Sequence, residues 1–358
     1  MFKKFFLPIF CSILLSLVGM SAAAPQSLVS VGQSNPSANP SPSTTTAAAA
    51  GTAAALIAGA MLLTSHTSSR VSTYYVAVGN NGTILTSSDG INWSAQTITA
   101  PNFRNVAYSM NQNLWVAVGA SGTIYSSPDR ITWTSQTSPT LNGLNDIAYE
   151  SSQNLWVVVG NSGNIVTSPD GSSWTLQHQT GFTLWGIAYS SRQNLWFTVG
   201  SFGILLTSPN GTTWSFGTSG TANGLYSIAY SSEQTLWVEV GVNGTLLTSP
   251  YGTSWTNLTG TVTSNTLFGV AYSSSQNLWV AVGASGTIIT SSNGSNWIDR
   301  TSSSGTTQIL WAITYSSRQN LWVAVGASGT IITSPDGINW TSRTSGTSES
   351  LQGVAASG

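Results

Sequence analysis

Seven copies of one segment, each about 40 residues long, fill the chain from Tyr74 onward. Each is anchored by a tryptophan: Trp93, Trp133, Trp174, Trp214, Trp255, Trp297 and Trp340. Successive spacings are 40, 41, 40, 41, 42 and 43 residues. A period of this size marks an array of supersecondary units, none of which can bury its apolar face alone. One unit contains Leu184-Trp-Gly-Ile-Ala-Tyr189, Leu195-Trp-Phe-Thr-Val-Gly200, Gly203-Ile-Leu-Leu-Thr-Ser208 and a segment from Trp214. These read as four short strands, A to D, rich in aliphatic, aromatic and Thr residues and bounded by Gly, Asn, Ser or Pro. No repeat carries a stretch with the length and polarity pattern of an amphipathic helix.

Four-stranded units at this period predict an all-β, seven-bladed β-propeller. The chain ends fit that number. The first copy begins at strand B, Tyr74-Tyr-Val-Ala-Val-Gly79, and the last segment, Leu351-Gln-Gly-Val-Ala-Ala356, is a strand A with nothing after it. Joined, they complete one blade and leave no open sheet edge between the first blade and the last. Six or eight blades would require a missed or a false copy, and the sequence holds neither. The turn between strands C and D repeats as Ser168-Pro-Asp-Gly171, Ser208-Pro-Asn-Gly211 and Ser334-Pro-Asp-Gly337. Proline presets φ, Asp or Asn favours the turn, and Gly takes a left-handed conformation, which predicts a three-residue hairpin with a Gly bulge. Arg130 stands where the other copies have that Gly, at a cost of about 1 kcal/mol if φ is positive there.

These turns resemble the Asp-box, or BNR, repeats, whose motif Ser-x-Asp-x-Gly-x-Thr-Trp sits between the third and fourth strands of propeller blades. The resemblance covers roughly residues 74–358. It departs in detail: Trp93 follows Asp89 by four residues, and the Asp position holds Asn210, Tyr251 and Asn293 in three copies. The phrase Val-Gly-x-x-Gly-x-Ile-x-Thr-Ser is most similar to the photosystem II assembly factors of that family. The family also includes sialidases and sortilin-type receptors, so the resemblance implies a fold that serves many functions.

Domain organisation follows composition. Residues 1–23 read as a signal peptide: Lys3 and Lys4, an apolar run from Phe5 to Met20, then Ser21-Ala-Ala, with cleavage after Ala23. Residues 24–46 form a Ser/Pro/Thr-rich linker, residues 47–69 an Ala-rich apolar segment, and residues 70–358 the propeller. Ala47 to Leu63 offers a route to membrane association, although it is short and Ala-rich for a span. The single cysteine, Cys11, leaves with the leader, so no disulfide is expected. What remains has seven Arg against ten Asp plus Glu, a formal charge of −3. Such sparse charge with no basic cluster argues against nucleic acid. An extracytoplasmic monomer is expected. The Asn-Gly turns at Asn81, Asn210 and Asn243 create glycosylation-like triplets as a by-product.

No catalytic residue, cofactor or metal site is predicted. The sialidase family implies an arginine triad and an Arg-Ile-Pro motif. The motif is absent, and Arg130, Arg192 and Arg318 lie in A–B or C–D turns, on the face opposite the usual site. Asp146 and Glu150 lie about 13 Å apart along an extended strand, too far for a retaining carboxylate pair. His66 and His178 are isolated, and the turn acids Asp89, Asp129, Asp170 and Asp336 read as turn formers. The second residue of strand A varies instead: Arg104, Asn145, Trp185, Tyr226, Phe268, Trp311 and Gln352. Four neighbouring aromatics face three polar residues around the ring. Trp185, Tyr226, Phe268, Trp311, the B–C tip residue Phe202 and Arg104 therefore form the candidate ligand-binding face. Strand alternation leaves a second reading open, in which Trp185 packs between blades beside Ile187 and Tyr189. The strand-B tryptophans, Trp115, Trp156, Trp196, Trp237, Trp279 and Trp322, are expected in the core. The expected function is a non-enzymatic scaffold that binds a protein partner, with a carbohydrate-binding propeller as the alternative and a sialidase-like hydrolase disfavoured.

Overall fold

The computed structural model describes residues 73–357. The signal peptide, the linker, the Ala-rich segment Ala47 to Leu63, Cys11, His66 and Arg70 lie outside the described residues.

Seven four-stranded antiparallel sheets form a ring. Six blades run consecutively, with strands A at Phe103–Ser109, Leu144–Glu150, Leu184–Ser190, Leu225–Ser231, Leu267–Ser273 and Leu310–Ser316. These are blades 2 to 7. Blade 1 takes its strand A, Leu351–Ala356, from the far end of the chain and its B, C and D from Tyr75–Gly79, Thr83–Ser87 and Ser94–Thr97. Pairing runs from Tyr75 opposite Ala356 to Gly79 opposite Leu351. Tyr74 and Ser357 extend it by two hydrogen bonds: Tyr74 N donates to Ser357 Oγ, and Ser357 N to the Tyr74 carbonyl, both at 2.8 Å. The ring is thus closed as predicted, and strand B of blade 1 is not left as a bare edge.

The core is divided among the blade boundaries. Each cluster combines strands B and C of one blade with strands A to C of the next; Val157, Val159 and Ile165, for example, pack against Leu184, Ile187, Trp196 and Leu206. The six strand-B tryptophans are all at most 2% exposed. A flat indole suits the space between two twisted sheets and removes a large apolar area from water.

The C–D turn is wider than a three-residue hairpin. In blade 1 the last paired residues are Thr86 and Ser94, with residues 87–93 between them. Side chains rather than a tight backbone turn satisfy the loop. Ser87 Oγ accepts from the N–H groups of Asp89 (3.2 Å) and Gly90 (2.8 Å), Asp89 Oδ1 from those of Ile91 and Asn92 (2.8 Å each), and the Trp93 indole donates to the Gly90 carbonyl (3.0 Å). Asn210 and Asn293 accept the same pair of N–H groups in their loops, so the amide replaces the carboxylate without loss of geometry.

Arg130 does hold positive φ, at 69°. In blade 3 a Cβ at the equivalent Gly171 would come within 2.4 Å of Leu114 Cδ2. The blade before Arg130 carries Tyr74 where the others carry that leucine, and the guanidinium lies over the Tyr74 ring at 3.4 Å. The exceptional residue therefore stands at the one boundary that can hold it.

Candidate functional site

Every strand A pairs with its strand B through a bulge in the first turn of pairing. Leu184 lies opposite Gly200 and Gly186 opposite Val199, which leaves Trp185 as the extra residue. The other bulged residues are Arg104, Asn145, Tyr226, Phe268, Trp311 and Gln352, which is the complete ring of variable second positions. A bulge breaks the two-residue alternation. Leu184 and Ile187, an odd number of residues apart, consequently share one core cluster. Alternation alone would have put Trp185 with Ile187; the bulge turns it out of the blade interface.

All seven bulged residues line a cavity of about 600 Å³ at this end of the ring, and all seven are half-buried. On one side Trp185 and Tyr226 have ring centroids 4.7 Å apart, Tyr226 and Phe268 5.0 Å, and Phe268 and Trp311 4.5 Å. Four consecutive blades thus present an unbroken aromatic wall, each tilted contact contributing about 1 kcal/mol beyond burial. Trp311 Nε1 donates to Ser350 Oγ at 3.2 Å, which fixes the last indole.

The other side is polar. The Arg104 guanidinium donates to Asn145 Oδ1 and, at 3.5 Å, to Asn161 Oδ1, while Asn145 Nδ2 donates to the Leu184 carbonyl at 2.7 Å. Burial pulls Arg104 below its ordinary pKa. Asp146 lies one residue deeper. Burial pushes its carboxyl up to about 6, opposed by hydrogen bonds from the Ile187 and Ile147 N–H groups and the Asn105 amide. Asp146 therefore ties three successive inner strands together. Glu150, at the other end of that strand, accepts from Ser152 N at 2.8 Å. Small residues let the inner strands approach: a Cβ at Gly353 would meet Asn105 Oδ1 at 2.5 Å.

Phe202 is not part of the cavity wall. It occupies the B–C tip of blade 4 at φ 56°, 76% exposed, with Phe182 edge-on at 6.4 Å. The corresponding tips elsewhere are Asn81, Ser121, Ser162, Asn243, Ser285 and Ser328. Sequence reasoning grouped Trp185, Tyr226, Phe268, Trp311 and Arg104, which line one cavity. It missed Asn161 and Asp146. Asp146 was singled out only as a member of a carboxylate pair, and Asn161 precedes a B–C tip with no signal of its own. Among the described residues no group of His, Cys, Asp and Glu could hold a metal.

The family model for the Photosynthesis system II assembly factor YCF48 matches residues 75–250, just short of half of the chain. Over these residues the chain is similar to the BNR-type assembly factors. Among solved structures similar to this assembly-factor-like propeller is YCF48 bound to D1 peptide, with a TM-score of 0.59 and 18% identity over 72% of this chain and 86% of that one. YCF48 from Cyanidioschyzon merolae gives a TM-score of 0.58 and 17% identity over 72% and 90%. The periplasmic gluconolactonase PpgL of Pseudomonas aeruginosa gives 0.62 and 10% over 80% and 99%. At such identities the likeness shows the fold alone. No curated protein matches the sequence.

Proposed function

We propose that this assembly-factor-like propeller is a non-enzymatic scaffold that holds a segment of a partner protein at the cavity mouth, outside the cytoplasm. The observation that carries the reading is the two-sided wall. An aromatic arc from four blades can take apolar side chains, and the Arg104–Asn145–Asn161 side can bond to a peptide backbone or a polar side chain. The relative bound to D1 peptide supports a polypeptide ligand for a ring of this type. The leader at residues 1–23 supports export, and Ala47 to Leu63 supports retention near a membrane. Outer edge strands of only two to four residues support a monomer.

A carbohydrate is the second reading, because aromatic faces beside amide groups also suit sugars. One experiment separates them. Random-peptide display and a glycan array are probed with the wild-type chain and with Trp185→Ala and Phe268→Ala variants of verified fold. Peptide enrichment lost in both variants supports the scaffold. Saturable glycan binding lost in both favours the carbohydrate reading, and lactone or glycoside turnover by the pure protein would defeat the non-enzymatic assignment.

A further inference from the structure

Five blade boundaries share one hydrogen-bonded latch. A glutamine in the A–B turn of one blade reaches the next blade, where its Oε1 accepts from the strand-B indole and its Nε2 donates to a C–D turn carbonyl. Gln112 accepts from Trp156 (2.8 Å) and donates to the Pro169 carbonyl (2.7 Å) and Asn154 Oδ1 (3.0 Å). Gln153 repeats this with Trp196, Pro209 and Asn194, and Gln276 with Trp322, Pro335 and Asn320. Gln234 bonds Trp279, the Ser292 carbonyl and Asn277, and Gln193 bonds Trp237 and Pro250. One donor and two acceptors in fixed positions are the complement of a primary carboxamide.

Between blades 1 and 2 the same three groups are present without the glutamine. Strand A of blade 1, Leu351–Ala356, and strand B, Tyr75–Gly79, come from opposite ends of the propeller sequence, so no A–B turn joins them. Trp115, Asn113 and Pro128, the counterparts of Trp156, Asn154 and Pro169, instead line a notch of about 280 Å³ bordered by Tyr74, Arg130 and Ser357. The Trp115 side chain is 2% exposed, and among the described residues its indole N–H lacks the glutamine bond that Trp156, Trp196, Trp237, Trp279 and Trp322 each make. Asn113 Oδ1 is already oriented by the Tyr108 hydroxyl at 2.9 Å, as Asn154 is by Tyr149 in the filled boundary. The notch is therefore built to the pattern of its filled relatives.

We propose that this notch is a docking site for the glutamine side chain of a turn presented by a partner polypeptide. It lies on the face of the disc opposite the cavity mouth and is independent of what the cavity binds. The donor of Trp115 would meet the amide oxygen, and the amide nitrogen would bridge the Pro128 carbonyl and Asn113 Oδ1. A glutamate cannot supply those two donors, and its charge would face two carbonyl oxygens.

The probe is the peptide Ser-Ser-Arg-Gln-Asn-Leu, the chain's own turn at residues 190–195. It is titrated into the full chain while the indole N–H resonances are followed by NMR. The Trp115 signal is assigned by its disappearance in Trp115→Phe or, should that variant not fold, by its proximity to the Tyr108 ring. The expected result is a saturable shift of the Trp115 indole, none at Trp156, and binding at least tenfold weaker when the peptide glutamine is changed to glutamate or leucine. An unmoved Trp115 signal at millimolar peptide overturns the proposal, and so does an equal shift with the glutamate peptide.

Discussion

Thr235→Asn should stabilise the propeller by about 2 kcal/mol. The A–B turns hold one residue at left-handed φ in each of blades 2 to 7: Asn113, Asn154, Asn194, Asn277 and Asn320 at 46° to 52°, and Thr235 at 51°. In the five asparagine blades the amide oxygen accepts from the strand-A tyrosine at 2.7 to 2.9 Å. In blade 5 the Tyr230 hydroxyl is buried with no partner. A left-handed conformation costs an ordinary residue about 1–2 kcal/mol, more for a β-branched one, whereas asparagine tolerates it. Satisfying the hydroxyl adds about 1 kcal/mol. The introduced amide would also restore the missing third bond of Gln193, whose Nε2 now reaches only the Pro250 carbonyl. For a domain of this size 2 kcal/mol raises Tm by about 3 °C, readable by calorimetry or urea titration. A double-mutant cycle with Tyr230→Phe separates the two contributions. The phenylalanine change should be nearly neutral in the parent and cost about 1 kcal/mol beside Thr235→Asn. An unchanged or lowered Tm, or a Tyr230→Phe cost that is the same in both backgrounds, would refute the reasoning.

Gln112→Ala should destabilise by about 2 kcal/mol because it strands the buried Trp156 indole N–H. Gln319→Ala should cost less in the same urea titration, since Tyr75 replaces the tryptophan there and Gln319 Oε1 already lacks a donor. Arg130→Gly should change stability by less than about 1 kcal/mol, because relief of backbone strain offsets the lost stacking on Tyr74. Gly171→Ala, by contrast, meets both a φ of 72° and Leu114 and should lower Tm clearly. Glu239 lies buried in strand B with neither carboxyl oxygen bonded, and burial raises its pKa well above the ordinary value. Its contribution is therefore fully present below the unfolded pKa of about 4.3 and is lost as pH rises toward the folded pKa. Asp146, raised to about 6, acts in the same direction, its contribution being lost as pH rises through about 6. Glu239→Ala, which restores the residue type of Ala77, Ala117, Ala281 and Ala324, should flatten the fall in stability above the unfolded pKa of about 4.3; urea midpoints that fall equally in both proteins would contradict this. Asp89, Asp129 and Asp336 are held at about 2 by their loop hydrogen bonds, so their contribution is present above pH 4 and lost only as pH falls through about 2.

Legibility of the site divided along the bulges. Variation at Arg104, Asn145, Trp185, Tyr226, Phe268, Trp311 and Gln352 was visible as soon as the copies were aligned, because a repeat exposes the position that escapes it. Whether Trp185 packed between blades or faced the channel was not, since strand alternation predicts the former and a bulge leaves no residue-type signature in Leu184-Trp-Gly186. Asn161 and Asp146 join Arg104 and Asn105 only through contacts between neighbouring blades, 57 and 41 residues apart in sequence. The Gln-Asn-Leu-Trp phrase recurs in the copies, at the turn into strand B. Its glutamine serves the tryptophan of the following blade rather than its own, which local sequence cannot express.

The sequence by itself determined the number of blades, the four strands in each, the buried tryptophans and the closure of the ring by Leu351–Ala356. All of these follow from local periodicity and from the repeat being split between the chain ends. The tertiary structure decided which way the second residue of strand A points, which glutamine meets which indole, and that among the described residues the boundary between blades 1 and 2 lacks that glutamine. Those outcomes depend on how sheets already formed approach one another around a closed ring. That approach is set by twist, bulge and side-chain volume across blade boundaries, and no single repeat contains both sides of a boundary.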